Sequence, residues 1–453
     1  LAKESPFGMW SFIENHHGAD IETTCNVLRK AGVKGTLANF VLDDDPGKWK
    51  ENARRTTILN KHGIKVNWGH LAGVARSGLN GLGDPDKKFA WIKAHPQVEY
   101  YNLFWETSIA GRPGTTCPPE IRGQAPIKWD APGQENIDTY MKLGTSWAAR
   151  ARHEAPGKRI SFGNGFPLFT SSMLRAGFPQ EYIDGFGLDF DMYTAAPEDQ
   201  PSMWYAPFSC IYYLRELRKL YNCESKPIWL TEAIYCPTSP IWICERQQAD
   251  YYVRTHLLAL AMGVEKFGMC AEPIDPDGWY HYGHYGPVGL CHATPEMNPR
   301  EAFCAYAAMT GILDGARFDK IVHLNSPHVY CLRFRKQDDT YIHAFWTVNG
   351  SRRLDLQRNS QEVLTAYNRD GKVIINEIAV QNGKLSLQLD ESPHYLVGPK
   401  HLKVLRLEDT EQTPEPENNQ CLVKFESLED WHVQMEPLEG YEAINPATPV
   451  AWA

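Results

Sequence analysis

Between residues 7 and 313, short apolar runs of strand length alternate with longer stretches in which apolar residues return every three or four positions. The runs are Phe7–Phe12, Gly35–Phe40, Ile64–His70, Val98–Glu106, Arg159–Gly165, Gly185–Tyr193, Pro227–Glu232 and Lys266–Glu272. A helical pattern follows each of them: Asp20–Ala31, Lys48–His62, Asp86–Ala94, Asn136–His153, Ser171–Tyr182, Met203–Tyr221, Glu245–Gly263 and Arg300–Leu313. The first helix carries its own punctuation, with Asp20 as N-cap and Gly32 as the residue that stops it. Strands separated by helices pair in parallel through crossovers. Eight such units predict an α/β fold, a (β/α)8 TIM barrel, over residues 1–316. A doubly wound sheet is the other architecture with this alternation, but no GxGxxG or GxxxxGK[ST] follows any of the runs.

The periodicity changes near Ala316. From Arg317 to Leu407 the chain reads as β-formers broken by turns: Lys320–Leu324, His328–Arg335, Thr340–Thr347, Glu362–Tyr367, Lys372–Ile378 and Lys384–Leu389. Asp370-Gly371 and Asn382-Gly383 are two-residue hairpin signals. Residues 317–407 are therefore expected to form an antiparallel β-sandwich packed on the side of the barrel and supplying no catalytic group. Residues 408–420 read as an acidic, Pro-containing linker, and 421–453 as a partial β module or a packed tail.

Composition narrows the class. With 43% hydrophobic and 22% charged residues the chain is neither disordered nor fibrous, and no apolar run has the length of a membrane span. A net charge of −9 argues against a nucleic-acid backbone as partner. The 14 Trp, 21 Tyr and 18 Phe supply both core and flat faces on which sugar rings stack. The 11 cysteines include no CxxC pair, and Cys25, Cys210, Cys270 and Cys304 sit in apolar stretches as free thiols would. Cys236 and Cys244 flank a Pro-containing loop and could pair in an oxidising compartment. The chain begins Leu1-Ala2-Lys3 and shows no basic segment followed by an apolar one, which reads as a trimmed start.

In a TIM barrel the reacting groups sit at the C-terminal ends of the strands. Those ends carry Trp10, Asn39, His70, Glu106, Asn164, Asp189 with Asp191 and Tyr193, Glu232, and Glu272. A carboxylate closing an apolar strand is costly without a task or a partner. Glu106 closes Val98–Glu106, the fourth run, and Glu232 closes Pro-Ile-Trp-Leu-Thr-Glu, the seventh. Strands four and seven face each other across an eight-stranded mouth. Glycoside hydrolysis needs two carboxyl groups so placed, one to protonate the leaving oxygen and one to attack or to activate water.

With Glu after strand four, Glu after strand seven and an appended β-sandwich, the chain resembles the clan A retaining glycoside hydrolases, and in layout family 39 and its distant relatives. Pro-Ile-Trp-Leu-Thr-Glu232 matches the clan's nucleophile strand. The acid/base strand of the clan ends Asn-Glu, and Trp105 stands here in the Asn place. The resemblance implies Glu232 as nucleophile, Glu106 as general acid/base, and Tyr193 as a hydrogen-bond partner of the nucleophile. Asn102 shares the strand parity of Glu106 but lies deeper. Asp189, Asp191, Asn39, His70 and Asn164 are candidate hydroxyl binders, and Trp10, Trp105 and Trp279 candidate stacking platforms.

The segment from Glu272 to Gly286 places His281 and His284 in an aromatic, Gly-containing loop, with His292 soon after. Their spacing fits no standard zinc site, so the loop, His281 included, reads as a substrate contact, with Glu272 a third acidic candidate. Asp275-Pro-Asp277-Gly reads as a turn, since later oxygen ligands of a calcium loop are missing. The leading expectation is a retaining O-glycoside hydrolase acting on a polysaccharide or oligosaccharide, without cofactor or metal. Two alternatives stay open: a carbohydrate-binding barrel without catalysis, which Trp105 favours, and a metal-dependent barrel hydrolase. A polymeric carbohydrate partner makes a secreted or periplasmic location the expected one.

Overall fold

The computed structural model describes residues 5–11, 20–38, 46–68, 84–104, 134–163, 167–193, 196–198, 207–235, 243–268, 273–275, 288–292, 297–348, 350–357, 364–374, 380–381, 383–398 and 400–409. Eight strands follow one another in spatial as in chain order: β1 Gly8–Ser11, β2 Gly35–Ala38, β3 Lys65–Trp68, β4 Tyr100–Asn102, β5 Arg159–Phe162, β6 Gly185–Tyr193, β7 Ile228–Tyr235 and β8 Val264–Phe267. Every neighbouring pair is parallel. The ring closes where the Phe267 amide donates to the Pro6 carbonyl at 2.9 Å. A Cβ on Gly8 would come within 1.9 Å of the Phe267 carbonyl, so this seam requires glycine.

The connecting helices are α1 Ile21–Lys30, α2 Pro46–Lys61, α3 Pro85–Ala94, α4 Gln134–Glu154, α5 Pro167–Arg175, α6 Pro207–Leu220, α7 Glu245–Ala261 and α8 Glu301–Ile312. Asp20 caps α1 by accepting from the Thr23 amide at 2.7 Å, and Gly32 follows with φ of 77°. The helix expected over Ser171–Tyr182 is shorter. It ends at Arg175 because Gly177 takes φ of 87° and Pro179 follows, leaving only a 3-10 turn at Gln180–Tyr182. Among the described residues no helix is long and apolar enough to cross a membrane.

Two antiparallel sheets follow. One has the order β13-β16-β11-β10-β9 and the other β14-β15-β12-β17. Their strands are β9 Arg317–Ile321, β10 Val329–Arg335, β11 Tyr341–Thr347, β12 Arg352–Gln357, β13 Thr365–Tyr367, β14 Val380–Gln381, β15 Lys384–Leu389, β16 His394–Gly398 and β17 Lys403–Asp409. Strands β12, β14, β16 and β17 were not expected from the pattern. In β12 the only inward apolar pair is Leu354 and Leu356, flanked by Arg and Gln, so its alternation is short. Conversely, of the described residues 372–374 in the expected run Lys372–Ile378, Val373 alone is bridged, to Tyr367. Both hairpin signals mark turns. Gln381 pairs with Lys384 around Gly383, whose φ is 76°, and Gly371 at φ of 80° donates to the Asn368 carbonyl at 3.0 Å. Asn382 lies outside the described residues.

The barrel and the first sheet share one apolar core. Leu332, Phe334, Ile342, Ala344, Trp346 and Tyr395 of that sheet pack with residues of the barrel's helical shell. A second core, with Leu354, Leu356, Leu385, Leu387 and Leu389, lies between the two sheets. Strand β11 is thus buried on both faces along its whole length. The sandwich is fastened to the barrel by charge as well. Arg369 donates to Asp250 of α7 at 2.9 Å and to Glu301 of α8 at 2.6 Å.

Candidate active site inside the barrel mouth

The lower barrel interior is filled by large side chains that partner one another. Trp229 of β7 meets Tyr100 of β4 edge-on, with ring centroids 5.4 Å apart at 87°. Lys266 of β8 donates to the Tyr100 hydroxyl and sits 3.8 Å from its ring centroid, and Arg159 of β5 donates to the same hydroxyl at 3.1 Å. Gly185 of β6 makes the room: a Cβ there would lie 2.7 Å from the Trp229 ring. These contacts join strands on different sides of the ring, so Trp229, Tyr100, Lys266 and Arg159 face the interior and close its lower end.

Glu232 owes its direction to one extra residue in β7. Trp229 points inward, whereas Tyr235 points to the helical shell, where its hydroxyl is 2.7 Å from that of Thr255 and its ring meets Tyr251 and Tyr252 of α7. Residues 229 and 235 would share a face in an unbroken strand. The ladder with β6 shows where alternation fails. Leu188 pairs with Leu230 and Asp189 with Glu232, so Thr231 has no opposite number. This is a β-bulge, and its hydroxyl donates to the Leu188 carbonyl at 2.7 Å. Past the bulge the faces exchange, and Glu232 stands on the interior side with Trp229. Without it Glu232 would share the face of Ile228 and Leu230, against the helices. Its residual exposure is 3%. Strand β7 also runs on past Glu232 to Tyr235, so the carboxylate does not end the strand as its sequence implied.

The same ladder revises the neighbours of Glu232. Asp189 stands opposite it, Asp191 opposite Ile234, and Tyr193, expected beside the nucleophile, opposite Tyr235. The register shifts again between Asp191 and Tyr193, so the two-residue spacing that put Tyr193 on one face with Asp189 and Asp191 does not hold across Met192.

On the other side of the ring, Asn102 and Ser161 pair in register above Tyr100 and Arg159 and share their inward face. Asn102 is 3% exposed, and its Nδ2 finds no acceptor among the described residues. The parity argument linking Asn102 to Glu106 ends at Leu103. Phe104 already lies on the helix side, against Tyr140 of α4 and Phe169 of α5, with ring centroids 5.0 and 6.0 Å away. Trp10 lies on β1 and pairs with Leu37. Asn39, His70, Trp105, Glu106, Asn164, Glu272, Trp279 and His281 lie outside the described residues, and so does the Glu106–Glu232 separation.

Asn67, Ser161 and the Tyr100–Trp229–Lys266–Arg159 cluster were not singled out from sequence. Asn67 pairs with Tyr100. Strand alternation alone could have flagged Ser161, two residues after Arg159, but the cluster depends on contacts between strands distant in the chain. Past β8, Asp275 accepts from the Gly289 amide at 2.7 Å and from Arg300 at 2.5 Å; the rest of the expected Asp275-Pro-Asp277-Gly turn lies outside the described residues. His292 is 3.6 Å from Glu245, which Arg300 also contacts. Among the described residues no His, Cys, Asp and Glu group could hold a metal ion; His284 lies outside them. Cys244 is a free thiol at the start of α7, and Cys236 lies outside the described residues.

No protein-family model matches this sequence, and no curated protein matches it. Solved structures do. The chain is similar to a family 39 glycoside hydrolase from the gut symbiont Bacteroides cellulosilyticus WH2, at 18% identity and a TM-score of 0.63, over 88% of this chain and 82% of that one. What the two share is the fold, a (β/α)8 barrel followed by a β-sandwich. It is likewise similar to the GH51 arabinofuranosidase from Xanthomonas axonopodis pv. citri, at 11% identity and a TM-score of 0.53 over 88% and 97% of the two chains. The catalytic domain of GH30 xylanase C from Talaromyces cellulolyticus matches at 10% identity and 0.54, over 87% and 96%. All three likenesses extend over both halves of the molecule, barrel and sandwich.

Proposed function

We propose that the protein is a retaining O-glycoside hydrolase acting on an oligosaccharide or polysaccharide, with Glu232 as nucleophile and Glu106 as general acid/base. The observation that carries this reading is the bulge at Thr231, which turns a buried carboxylate into the barrel mouth of a fold shared with glycoside hydrolases. A strand irregularity that re-aims one side chain is common next to active sites.

In this mechanism the ionised Glu232 attacks the anomeric carbon while the protonated Glu106 hands its proton to the departing glycosidic oxygen. The covalent glycosyl-enzyme is then hydrolysed by water that Glu106, now the base, deprotonates. Asp189, opposite Glu232 in the ladder, and Asn102, with its buried amide donor, are the groups proposed to hold sugar hydroxyls. Secretion is proposed on the nature of the substrate, a polymer met outside the cell.

A panel of aryl glycosides and natural oligosaccharides tests the reading, with and without chelator. Glu232→Ala is expected to lose both substrate types, by a factor on the order of 10⁴ or more. Glu106→Ala should lose the natural glycosides and spare activated aryl ones, because a good leaving group needs no proton. Azide should restore an inverted product at the Glu232 site and a retained one at the Glu106 site. Full activity of both variants on natural glycosides would sink the assignment, and sensitivity to chelator would favour the metal-dependent alternative.

A further inference from the structure

Glu198 joins three parts of the molecule. It lies in the connection that leaves β6 at Tyr193 and leads to α6. Its side chain is only 5% exposed, and a carboxylate at that depth needs partners. Two donors converge on it. The Arg254 guanidinium of α7 grips both oxygens, with Nε 2.8 Å from Oε1 and Nη2 on Oε2. The indole Nε1 of Trp346, from β11 of the sandwich, donates to Oε1 at 2.7 Å. Both donors are themselves buried, Arg254 at 2% and Trp346 at 0% exposure. Each is held in turn: Arg254 lies over the Tyr251 ring at 5.3 Å, and Trp346 stacks on Tyr330 at 5.0 Å.

We propose that Trp346 and Arg254 are positioning residues, and that through Glu198 the sandwich holds residues 196–198, in the connection between β6 and α6, in their working place. The ladder beside this connection is the irregular one. β6 shifts register against β7 twice, at Leu188/Asp189 and at Asp191/Tyr193, so regular pairing does not by itself fix where the chain goes next. An external clamp supplies what the ladder lacks. It comes from a strand buried on both faces, within an apolar core continuous with the barrel, so the clamp is attached to something rigid. The effect on catalysis rests on the hydrolase reading above; the effect on the connection does not.

The test uses the full chain and two variants. Trp346→Phe keeps a ring on Tyr330 and deletes one N–H. Glu198→Gln keeps the acceptor oxygen and the volume but removes the charge facing Arg254. Leu354→Ala, in the second core away from the barrel, serves as a control that lowers stability without touching the clamp. Hydrogen exchange of peptides covering residues 189–206 should quicken about tenfold in Trp346→Phe and in Glu198→Gln, the scale of one lost hydrogen bond to a charged acceptor. kcat/KM should fall by a similar factor, chiefly in kcat, while Leu354→Ala leaves both readouts at wild-type values below its melting temperature. Unchanged exchange in both clamp variants overturns the proposal. Equal acceleration in Leu354→Ala also overturns it, since that is general loosening. Faster exchange with unaltered kcat/KM overturns the positioning role. A wild-type chain inactive on every glycoside refutes the hydrolase reading instead, and the exchange comparison then decides the clamp alone.

Discussion

Strand pairs β6–β7 and β10–β11 each join seven pairs of residues, and they were built for different ends. β10–β11 runs from Val329↔Thr347 to Arg335↔Tyr341 without a single shift, and every residue of β11 is buried. β6–β7 shifts twice within the same span, and between the shifts stand Asp189 and Glu232. Regular alternation suits a strand whose two faces both pack. It cannot aim a carboxylate inward from a strand whose preceding alternate residues, Ile228 and Leu230, face the helices. The bulge gives up one ladder position to do so, and the hydroxyl of Thr231 offsets part of that cost by bonding Leu188. In these two pairs irregularity lies where a carboxylate is presented, and regularity where area is buried.

The sharpest way to break that contrast is to insert one alanine between Leu188 and Asp189, which gives Thr231 the opposite residue it lacks. The insertion makes the alternation of β7 unbroken through residue 232 and should turn Glu232 to the face of Ile228 and Leu230, toward the helical shell. Activity on aryl glycosides is expected to fall on the order of 10⁴-fold, as for removal of the catalytic group itself. A circular dichroism spectrum like that of the wild type would show that the barrel survives. If the insertion variant keeps its kcat, the bulge does not set the direction of Glu232.

The complementary change is Leu354→Ala in the regular half. Leu354 is fully buried between the sheets, and truncating it should cost about 2–5 kcal/mol of stability through lost transfer energy and a residual cavity. Urea unfolding measures this. At temperatures where the variant stays folded, its kcat should match the wild type, and a fall in kcat would mean that the two halves are not separable in this sense.

A smaller effect comes from buried histidines, one in each half. Burial, reinforced by the nearby Arg333 cation, lowers the pKa of His343 in β11 from its usual 6.5 to about 3, and burial lowers that of His256 in α7 to about 4. The unfolded chain takes up these protons near pH 6.5 and the folded chain does not, so the contribution of each is whole above that pH. It declines as pH falls toward the folded value, by up to about 1.4 kcal/mol per pH unit for each histidine. Between pH 7 and pH 5 the His343→Leu variant should therefore lose about 2 kcal/mol less stability than the wild type. Identical losses in urea unfolding at the two pH values would mean that His343 is protonated in the folded chain.

Much of the fold was legible in the residues. Alternating strand and helix periods, the Asp20 cap, and the Asp-Gly and Asn-Gly turns are local signals, and each corresponds to a feature of the structure. What misled were places where a local rule is overridden by contacts. The helix expected through Tyr182 ends at Arg175, two residues before Gly177. Tyr193, which the resemblance implied as a partner of Glu232, stands opposite Tyr235 in the ladder, because the register shifts between Asp191 and Tyr193. The strand expected through Glu106 is a three-residue β4 whose inward face ends with Asn102, because Phe104 is drawn to Tyr140 and Phe169 outside the ring.

Sequence by itself determined the alternation of strands and helices in the barrel, since a period of two or of three to four is a property of the chain and survives in any packing. It also marked Glu232, because a carboxylate in an apolar strand is conspicuous wherever it points. Which way that carboxylate points was decided only in three dimensions. The extra residue at Thr231 is visible only against the partner strand, and a bulge is a relation between two ladders rather than a composition. The same holds for Glu198. Nothing in its neighbourhood along the chain announces Arg254 or Trp346, since the three meet only when the barrel helix, the mouth connection and the sandwich strand are packed together, and burying a charge makes sense only once all three are there.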